Sequence, residues 1–383
     1  MLNLFLLFFC NASALIWLLL VCMPLRWRMR ERWETVDHVN VPISQWPSLS
    51  VIVPARNEAD SLPVTLPSWL DQNYPDSEII VIDDESHDHT AECALEIAGR
   101  FDGKIRIVSG TTPPPGWTGK LWALQQGIKT SSGEWLLFTD ADISHRPNLW
   151  RGLVAKALTE KRSMVSLMVL LDTKGVWPRL LIPAFVYFFH VMYPFEKVRD
   201  RRSPVSAAAG GCILIERKAL DKIGGIEGHR DAWIDDLALA KRVKQAELPI
   251  ALSLTKSAVS IRSYRQLAEV WNMVARNAFV QLRCSWFLLC LTVLGMAILF
   301  LVPVGGICAW ITGTGSPAVL SLSCVAHVLM VITYIPTLRF FGLSMVRGIA
   351  FPLAGILYAA MTVSSAINYL SGRREWRGAR VKK

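Results

Sequence analysis

Glu134-Trp-Leu-Leu-Phe-Thr-Asp-Ala-Asp-Ile143 sets a short apolar run directly against two acidic residues. A buried strand that ends in Asp-x-Asp delivers Asp140 and Asp142 to its exit, where two carboxylates can share one hard divalent cation. A partly open site of this kind suits Mg²⁺ or Mn²⁺, which keep positions for waters or phosphate oxygens. Asp is also an ordinary turn residue, so the same pair suits a solvated turn after a strand. The neighbouring segments discriminate.

Ser48-Leu-Ser-Val-Ile-Val53 reads as a second buried strand, stopped by Pro54, and Glu78-Ile-Ile-Val-Ile82 as a third that runs straight into Asp83 and Asp84. Lys104 to Val108 adds another. Helical patterns over Ser61 to Leu70 and Gly119 to Lys129 fall between them, which gives βαβ units and a mainly parallel sheet. In such sheets ligands bind beyond the carboxyl ends of the strands. Arg56, Asn57 and Glu58, Asp83 and Asp84, and Asp140 and Asp142 are therefore expected on one crevice.

The chain is 383 residues long and 52% hydrophobic, with the apolar residues gathered at its two ends. Residues 1–25 carry no charge and are followed by Arg26, Arg28, Arg30 and Arg32, which reads as an uncleaved membrane anchor with its basic side in the cytoplasm. A basic linker over 26–45 leads to a cytoplasmic domain over 46–283. A membrane region over 284–370 follows, holding apolar stretches at Trp286 to Ile311, Pro317 to Leu338 and Gly348 to Leu370. A basic tail closes the chain over 371–383. The positive-inside rule wants that tail in the cytoplasm, whereas three full crossings would export it. The last stretch, interrupted by Pro352, Gly355, Ser364, Ser365 and Asn368, is expected to be re-entrant, interfacial or broken. The reading is of a multi-pass protein of the cytoplasmic (inner) membrane whose soluble domain faces the cytoplasm.

The net charge of +10 does not point to nucleic acid, because much of the excess flanks apolar spans, where topology and anionic headgroups account for it. Eight cysteines occur without a Cys-x-x-Cys pair, and five of them lie within the spans, so neither zinc nor disulfides are implied. His87, His89 and His145 show no metal-ligand spacing and read as solvated loop residues.

Val53-Pro-Ala-Arg-Asn-Glu58, Val81-Ile-Asp-Asp-Glu-Ser-His-Asp-His-Thr90, Gly119-Lys120, Thr139-Asp-Ala-Asp142, Ala209-Gly-Gly-Cys212 and Asp235-Asp-Leu-Ala-Leu-Ala-Lys-Arg242 occur in this order. The series resembles the ordered motifs of family 2 inverting glycosyltransferases, with Asp235 where that family has Glu. Pro114-Pro-Gly-Trp-Thr-Gly-Lys120, Leu181-Ile-Pro-Ala-Phe185 and the membrane arrangement are similar to the hopene-associated members, encoded near hopanoid synthesis. The resemblance implies an α/β nucleotide-diphospho-sugar transferase domain (type A, Rossmann-like) with an N-terminal anchor and C-terminal transmembrane helices. It also implies a Mg²⁺- or Mn²⁺-dependent hexosyl transfer from a nucleotide sugar.

On that reading Asp83 or Asp84 accepts hydrogen bonds from a uracil-like base edge, which implies a UDP-linked donor, and Glu58 reaches base or ribose. Helix capping is the competing role for all three, and is the better account of Asp88. Lys120, at a helix start, faces a diphosphate. Asp140 and Gly211 complete the donor site, and Asp140 and Asp142 hold the cation. Asp236 matches the family's catalytic base, which removes the acceptor proton. Asp235 caps the following helix or contacts the acceptor, and Trp117 walls the sugar pocket or packs. The family's Gln-x-x-Arg-Trp motif is absent. Arg276, Gln281 and Arg283 stand in that region, where they contact phosphate or acceptor or serve as membrane anchors.

The uncharged, aromatic segment 180–195 is expected at the membrane interface, offering an apolar groove to a lipid acceptor such as a hopanoid. An ordinary core helix is the alternative. A processive polysaccharide synthase would need the missing motif and a polymer-conducting set of spans. A non-catalytic nucleotide-sugar-binding scaffold would not need the intact carboxylates.

Overall fold

A computed structural model describes residues 2–35, 43, 45–100 and 105–371, with the backbone of Glu375–Trp376 and Ala379–Arg380. Lys104, part of the basic linker and most of the basic tail lie outside the described residues. The chain forms two compact units, one of Glu31–Asp172 with Phe195–Arg262, the other of Met1–Arg30, Thr173–Pro194 and Ser263–Lys383.

The first unit is built on an eight-stranded sheet: β1 (Leu49–Ala55), β2 (Ser77–Asp83), β3 (Ile105–Ser109), β4 (Trp135–Thr139), β5 (Ile143–His145), β6 (Met164–Leu170), β7 (Cys212–Glu216) and β8 (Ile250–Ser260). Its order is β3-β2-β1-β4-β7-β6-β8-β5. Val51 and Ile52, neighbours on opposite faces of β1, are both fully buried, so the sheet is covered on both sides, as its unbroken apolar strands require. Strands β1, β2, β3 and β4 pair in parallel, but β7 runs antiparallel between β4 and β6, and β5 antiparallel to β8. Strands β6 and β8 pair in parallel, so six of the eight strands run in one direction, in line with a mainly parallel sheet, and β7 and β5 run against them. The departure comes from the part of the chain beyond the βαβ units that local patterning picks out.

Strand β1 lies between β2 and β4, so the winding direction reverses at the β1/β4 boundary, and a crevice opens beyond the carboxyl ends of these two strands. Helix Gly119–Thr130 covers β1 and β2, and Gly127 lets it sit close: a Cβ there would lie 2.7 Å from Ile82 Cδ1 and closer still to Ile52. Gly127→Ala should overpack this contact and cost about 1–3 kcal/mol. The readout is a lower thermal midpoint of the detergent-solubilised protein.

The second unit contains four helices long and apolar enough to cross a membrane: Asn3–Val21, Trp286–Ile311, Pro317–Phe340 and Met345–Leu370. A helix of 20 apolar residues spans the ~30 Å hydrocarbon thickness. Within Trp286–Ile311 a π-turn at Ala297–Leu301 precedes Pro303, whose ring cannot follow an unbroken α-helical turn. Trp17 donates from Nε1 to the Leu299 carbonyl at 3.1 Å inside that turn. The last apolar stretch is not broken. Phe351–Leu370 is one continuous helix, because Pro352 falls in its first turn, where no intrahelical N–H is needed.

Segment 180–195, expected within the soluble domain, instead belongs mostly to this unit as helix Val176–Met192. Its Leu181, Ile182, Ala184, Val186 and Tyr187 are buried, Tyr187 against Tyr334 and Phe351, with its hydroxyl bonded to Thr333 at 2.9 Å. It is a core helix of the apolar unit, not an open groove. Helix Leu267–Gln281, also expected in the soluble domain, joins the same unit and bonds to the last helix through Trp271 Nε1 to Ser364 Oγ at 3.1 Å.

Candidate active site

The carboxyl end of β4 carries Thr139 and Asp140 into a cleft of about 370 Å³, part of it open to solvent, lined also by Pro54, Lys120, Gly210, His229, Asp235 and Asp236. Lys120, in the first turn of its helix, places its ammonium 2.9 Å from Asp140 Oδ1 and 3.3 Å from Asp235 Oδ2. Burial alone would lower the Lys120 pKa, but Asp140, Asp235 and Asp236 outweigh it and hold the ammonium charged above the ordinary lysine value. The lysine thus couples two acidic centres that lie nearly a hundred residues apart in sequence.

Asp235 and Asp236 open helix Asp235–Gln245, where the helix N-terminus favours negative charge. Asp236 accepts from Gly210 N at 2.8 Å through Oδ2 and from Leu237 N at 2.7 Å through Oδ1. Burial, with Asp235 adding to it and Lys120 opposing, pushes its pKa up to about 7. A carboxylate can accept more than two hydrogen bonds, so this one retains capacity for an acceptor hydroxyl at an affinity for protons that suits a base near neutral pH. Gly210 holds this geometry, since a Cβ there would lie 3.3 Å from Asp236 Oδ2 and 3.4 Å from Lys120 Nζ.

Asp142 takes a different course from Asp140. Only 9% exposed, it receives Ser260 Oγ at 3.4 Å and the Arg262 Nε at 3.3 Å. Arg262 also reaches Glu58 Oε1 at 3.7 Å, so one guanidinium bridges Glu58 and Asp142. Glu58, itself 3% exposed, accepts from Ser61 Oγ at 2.7 Å. Among the described residues no three His, Cys, Asp or Glu side chains converge as a metal cage. A closed structural metal does not fit. A hard cation held by one or two carboxylates and completed by phosphate oxygens does, with Asp140, 34% exposed in its side chain, as the accessible donor.

At the end of β2, Arg56 Nη1 approaches Asp84 Oδ2 at 3.5 Å, and burial raises the Asp84 pKa against that ion pair. Asp83 Oδ1 and Asp84 Oδ1 are buried with no hydrogen-bond partner among the described residues, and neither residue lines the cleft that holds Asp140 and Asp236. Asp88 is a cap. It accepts from Thr90 N at 3.2 Å and from Ala59 N at 3.1 Å.

His145 is not a solvated loop residue. It is buried, and burial pushes its pKa down to about 3. Trp150 Nε1 donates to its Nδ1 at 3.0 Å, so Nε2 carries the proton toward Thr139 Oγ1 at 3.1 Å, and that hydroxyl donates to the Gly211 carbonyl at 3.0 Å. The relay fixes β4 against the Gly210-Gly211 turn. Gly211 also accepts from Asp140 N at 3.4 Å. Trp117 stacks edge-on against Trp122 at 5.2 Å. Arg276, Gln281 and Arg283 belong to the other unit, where Gln281 donates to the Tyr193 hydroxyl and Arg283 is exposed.

Sequence reasoning missed Arg262, His229 and Gly210. Gly210 carried a signal as the first glycine of the Gly-Gly pair. Arg262 and His229 carried none, because their roles depend on β8 and on the loop before Asp235.

Residues 50–224 match the profile of the family described as Glycosyl transferase family 2. The chain is similar to the 4,4'-diaponeurosporenoate glycosyltransferase of Staphylococcus haemolyticus, 41% identical over 253 residues that cover 59% of this chain and 60% of that protein. It is also similar to the beta-monoglucosyldiacylglycerol synthase of Trichormus variabilis, 21% identical over 255 residues, covering 60% of this chain and 52% of that protein. The chain thus spans little more than half the length of the curated relatives it matches. Among solved structures, the mannosyltransferase PcManGT of Pyrobaculum calidifontis, in complex with GDP-Man and Mn²⁺, superposes with a TM-score of 0.58 at 17% identity. The match covers 94% of this chain and 99% of that one. The fold is the Rossmann-like, type A glycosyltransferase fold with apolar helices at both ends.

Proposed function

We propose, with the family 2 glycosyltransferase match over residues 50–224 as premise, that this protein transfers one sugar from a nucleotide diphosphate donor to a lipid at a membrane. The observation that carries this reading is Asp236, a buried carboxylate with raised proton affinity, in one cleft with Lys120 and Asp140. In the step proposed, Asp236 takes the acceptor hydroxyl's proton as that oxygen bonds to the anomeric carbon. The bond from that carbon to the diphosphate breaks, the electron pair leaves with the phosphate oxygen, and the configuration inverts. A Mg²⁺ or Mn²⁺ ion at Asp140, joined by Asp142 once Arg262 releases it, would supply charge stabilisation to the departing diphosphate. Asp83 and Asp84 offer acceptors to a uracil-like base, hence a UDP-linked donor, with Glu58 toward the ribose.

Relatives named for diaponeurosporenoate and monoglucosyldiacylglycerol favour a lipid acceptor, and a hopanoid is the acceptor we propose. Membranes containing the protein, incubated with labelled nucleotide sugars and extracted, should place label in lipid. Label in polymer would instead mean a processive synthase, and donor binding without transfer would mean a scaffold.

The arginines after the first helix support an inner-membrane protein with residues 31–172 and 195–262 in the cytoplasm. The second unit's packing supports a re-entrant last helix. Phe351, at its start, stacks on Tyr334 at 3.9 Å and meets Phe300, deep within Trp286–Ile311. Tyr369, at its end, lies 5.3 Å from Phe279, which also meets Trp286 at the cytoplasmic start of that span. Cysteine labelling should therefore find residue 383 in the cytoplasm and Thr312 to Pro317 outside. An externally labelled tail would mean a full fourth crossing.

A further inference from the structure

His229 has no part in the transfer step described above. It is 5% exposed, lines the same cleft as Asp235 and Asp236, and neither ring nitrogen has a hydrogen-bond partner among the described residues. The other polar side chains lining the cleft, Lys120, Thr139, Asp140, Asp235 and Asp236, each bond within the protein. Burial, with the Arg242 guanidinium adding to it, pushes the His229 pKa down to about 4 against Asp235 and Asp231. The ring is thus neutral near pH 7, with one N–H donor and one bare acceptor nitrogen. Burying both without partners is unfavourable, which a fold tolerates where a ligand supplies what is missing.

The backbone that carries the ring is held in place. His229 N donates to Ile226 O at 3.1 Å, and His229 O accepts from Ala232 N at 2.8 Å. Arg242 grips the loop beneath, donating to the Gly228 carbonyl at 3.2 Å and to that of Ile223, and Gly228 leaves no room for a side chain against the guanidinium.

We propose that His229 hydrogen-bonds a hydroxyl of the sugar being transferred and so selects among sugars and orients the chosen one before Asp236. A ring that can both donate and accept matches a hydroxyl, which does the same. A lipid acceptor's single reacting hydroxyl is already claimed by Asp236, whereas a hexosyl group brings several more. This assignment rests on the reading of the cleft as a sugar-transfer site.

The test uses full-length protein in detergent, as wild type, His229→Leu and His229→Gln. The donors are UDP-glucose, UDP-galactose, UDP-N-acetylglucosamine, GDP-mannose and single-deoxy analogues of whichever donor is turned over. Wild type should discriminate against one deoxy donor by about tenfold or more, as sites built to bond a hydroxyl do. His229→Leu should lose about 10- to 100-fold in kcat/KM on the full donor and treat full and deoxy donors nearly alike. Its thermal midpoint should not fall, since an apolar side chain there removes unpaired polar atoms. His229→Gln should regain part of the discrimination. A Leu variant that discriminates as wild type does, or that loses thermal stability and activity on every donor by one common factor, would overturn the proposal. No transfer by the wild-type protein would sink the transferase reading and this proposal with it.

Discussion

Asp236→Asn should bind nucleotide sugar as wild type does and turn it over at least about a hundredfold more slowly, the usual scale of general-base catalysis. The amide keeps the carboxylate's shape, and its oxygen can still accept from Gly210 N or Leu237 N, so the helix start is preserved. What it lacks is the basic oxygen. A second readout follows from the raised pKa. Below about 7 the wild-type carboxyl is mostly protonated and cannot take the acceptor proton, so kcat/KM should rise with pH through neutrality and then level off. The residual activity of the Asn variant should lack that limb. Turnover by Asp236→Asn within a few-fold of wild type would remove Asp236 from the role of base.

Asp140→Asn should weaken metal-dependent donor binding by at least about tenfold, since even residues behind a metal ligand commonly matter that much. The measurement is calorimetric titration of nucleotide sugar with and without Mg²⁺ or Mn²⁺. Asp142→Asn should have the smaller effect on binding, because that carboxylate is already engaged by Arg262 and Ser260 and is more deeply buried than Asp140. Equal metal dependence in wild type and Asp140→Asn would eliminate the cation site.

Local sequence carried much of this. The strands β1 to β4 and the helices between them follow from apolar runs, Pro54 and the acidic stops, and the structure moves their limits by a residue or two. Ordered motifs pointed to Lys120, Asp140 and Asp236, which share one cleft. The second half of the sheet was not legible, because β7 and β8 take their places by long-range pairing that no local pattern encodes. The same holds for the Arg262 bridge. Segment 180–195 was apolar and aromatic in either reading, and only its packing against Tyr334 and Phe351 distinguished a core helix from an exposed one. His145 was misjudged because Trp150, five residues on in helix Leu149–Thr159, gives the ring a buried partner.

The acidic turn has a further consequence for how the protein comes into being. Strand β5, which follows Asp142 at once, pairs not with its sequence neighbours but with the end of β8, and Asp142 meets Ser260 across 118 residues of chain. A ribosome that has released the first five strands has therefore produced a half whose acidic turn is held by helix Leu62–Leu70, through Thr65 Oγ1 to Ala141 O at 2.8 Å and Trp69 Nε1 to Ile143 O at 2.9 Å, but whose Asp142 side chain still lacks Ser260 and Arg262. Synthesis at about 5–20 residues per second imposes a wait of several seconds before β8 emerges. During that wait β5 is held on its helix side alone, so nascent chains should be cleaved more readily there than in β1 to β4. Maturation of the site is thus timed by translation of its most distant strand.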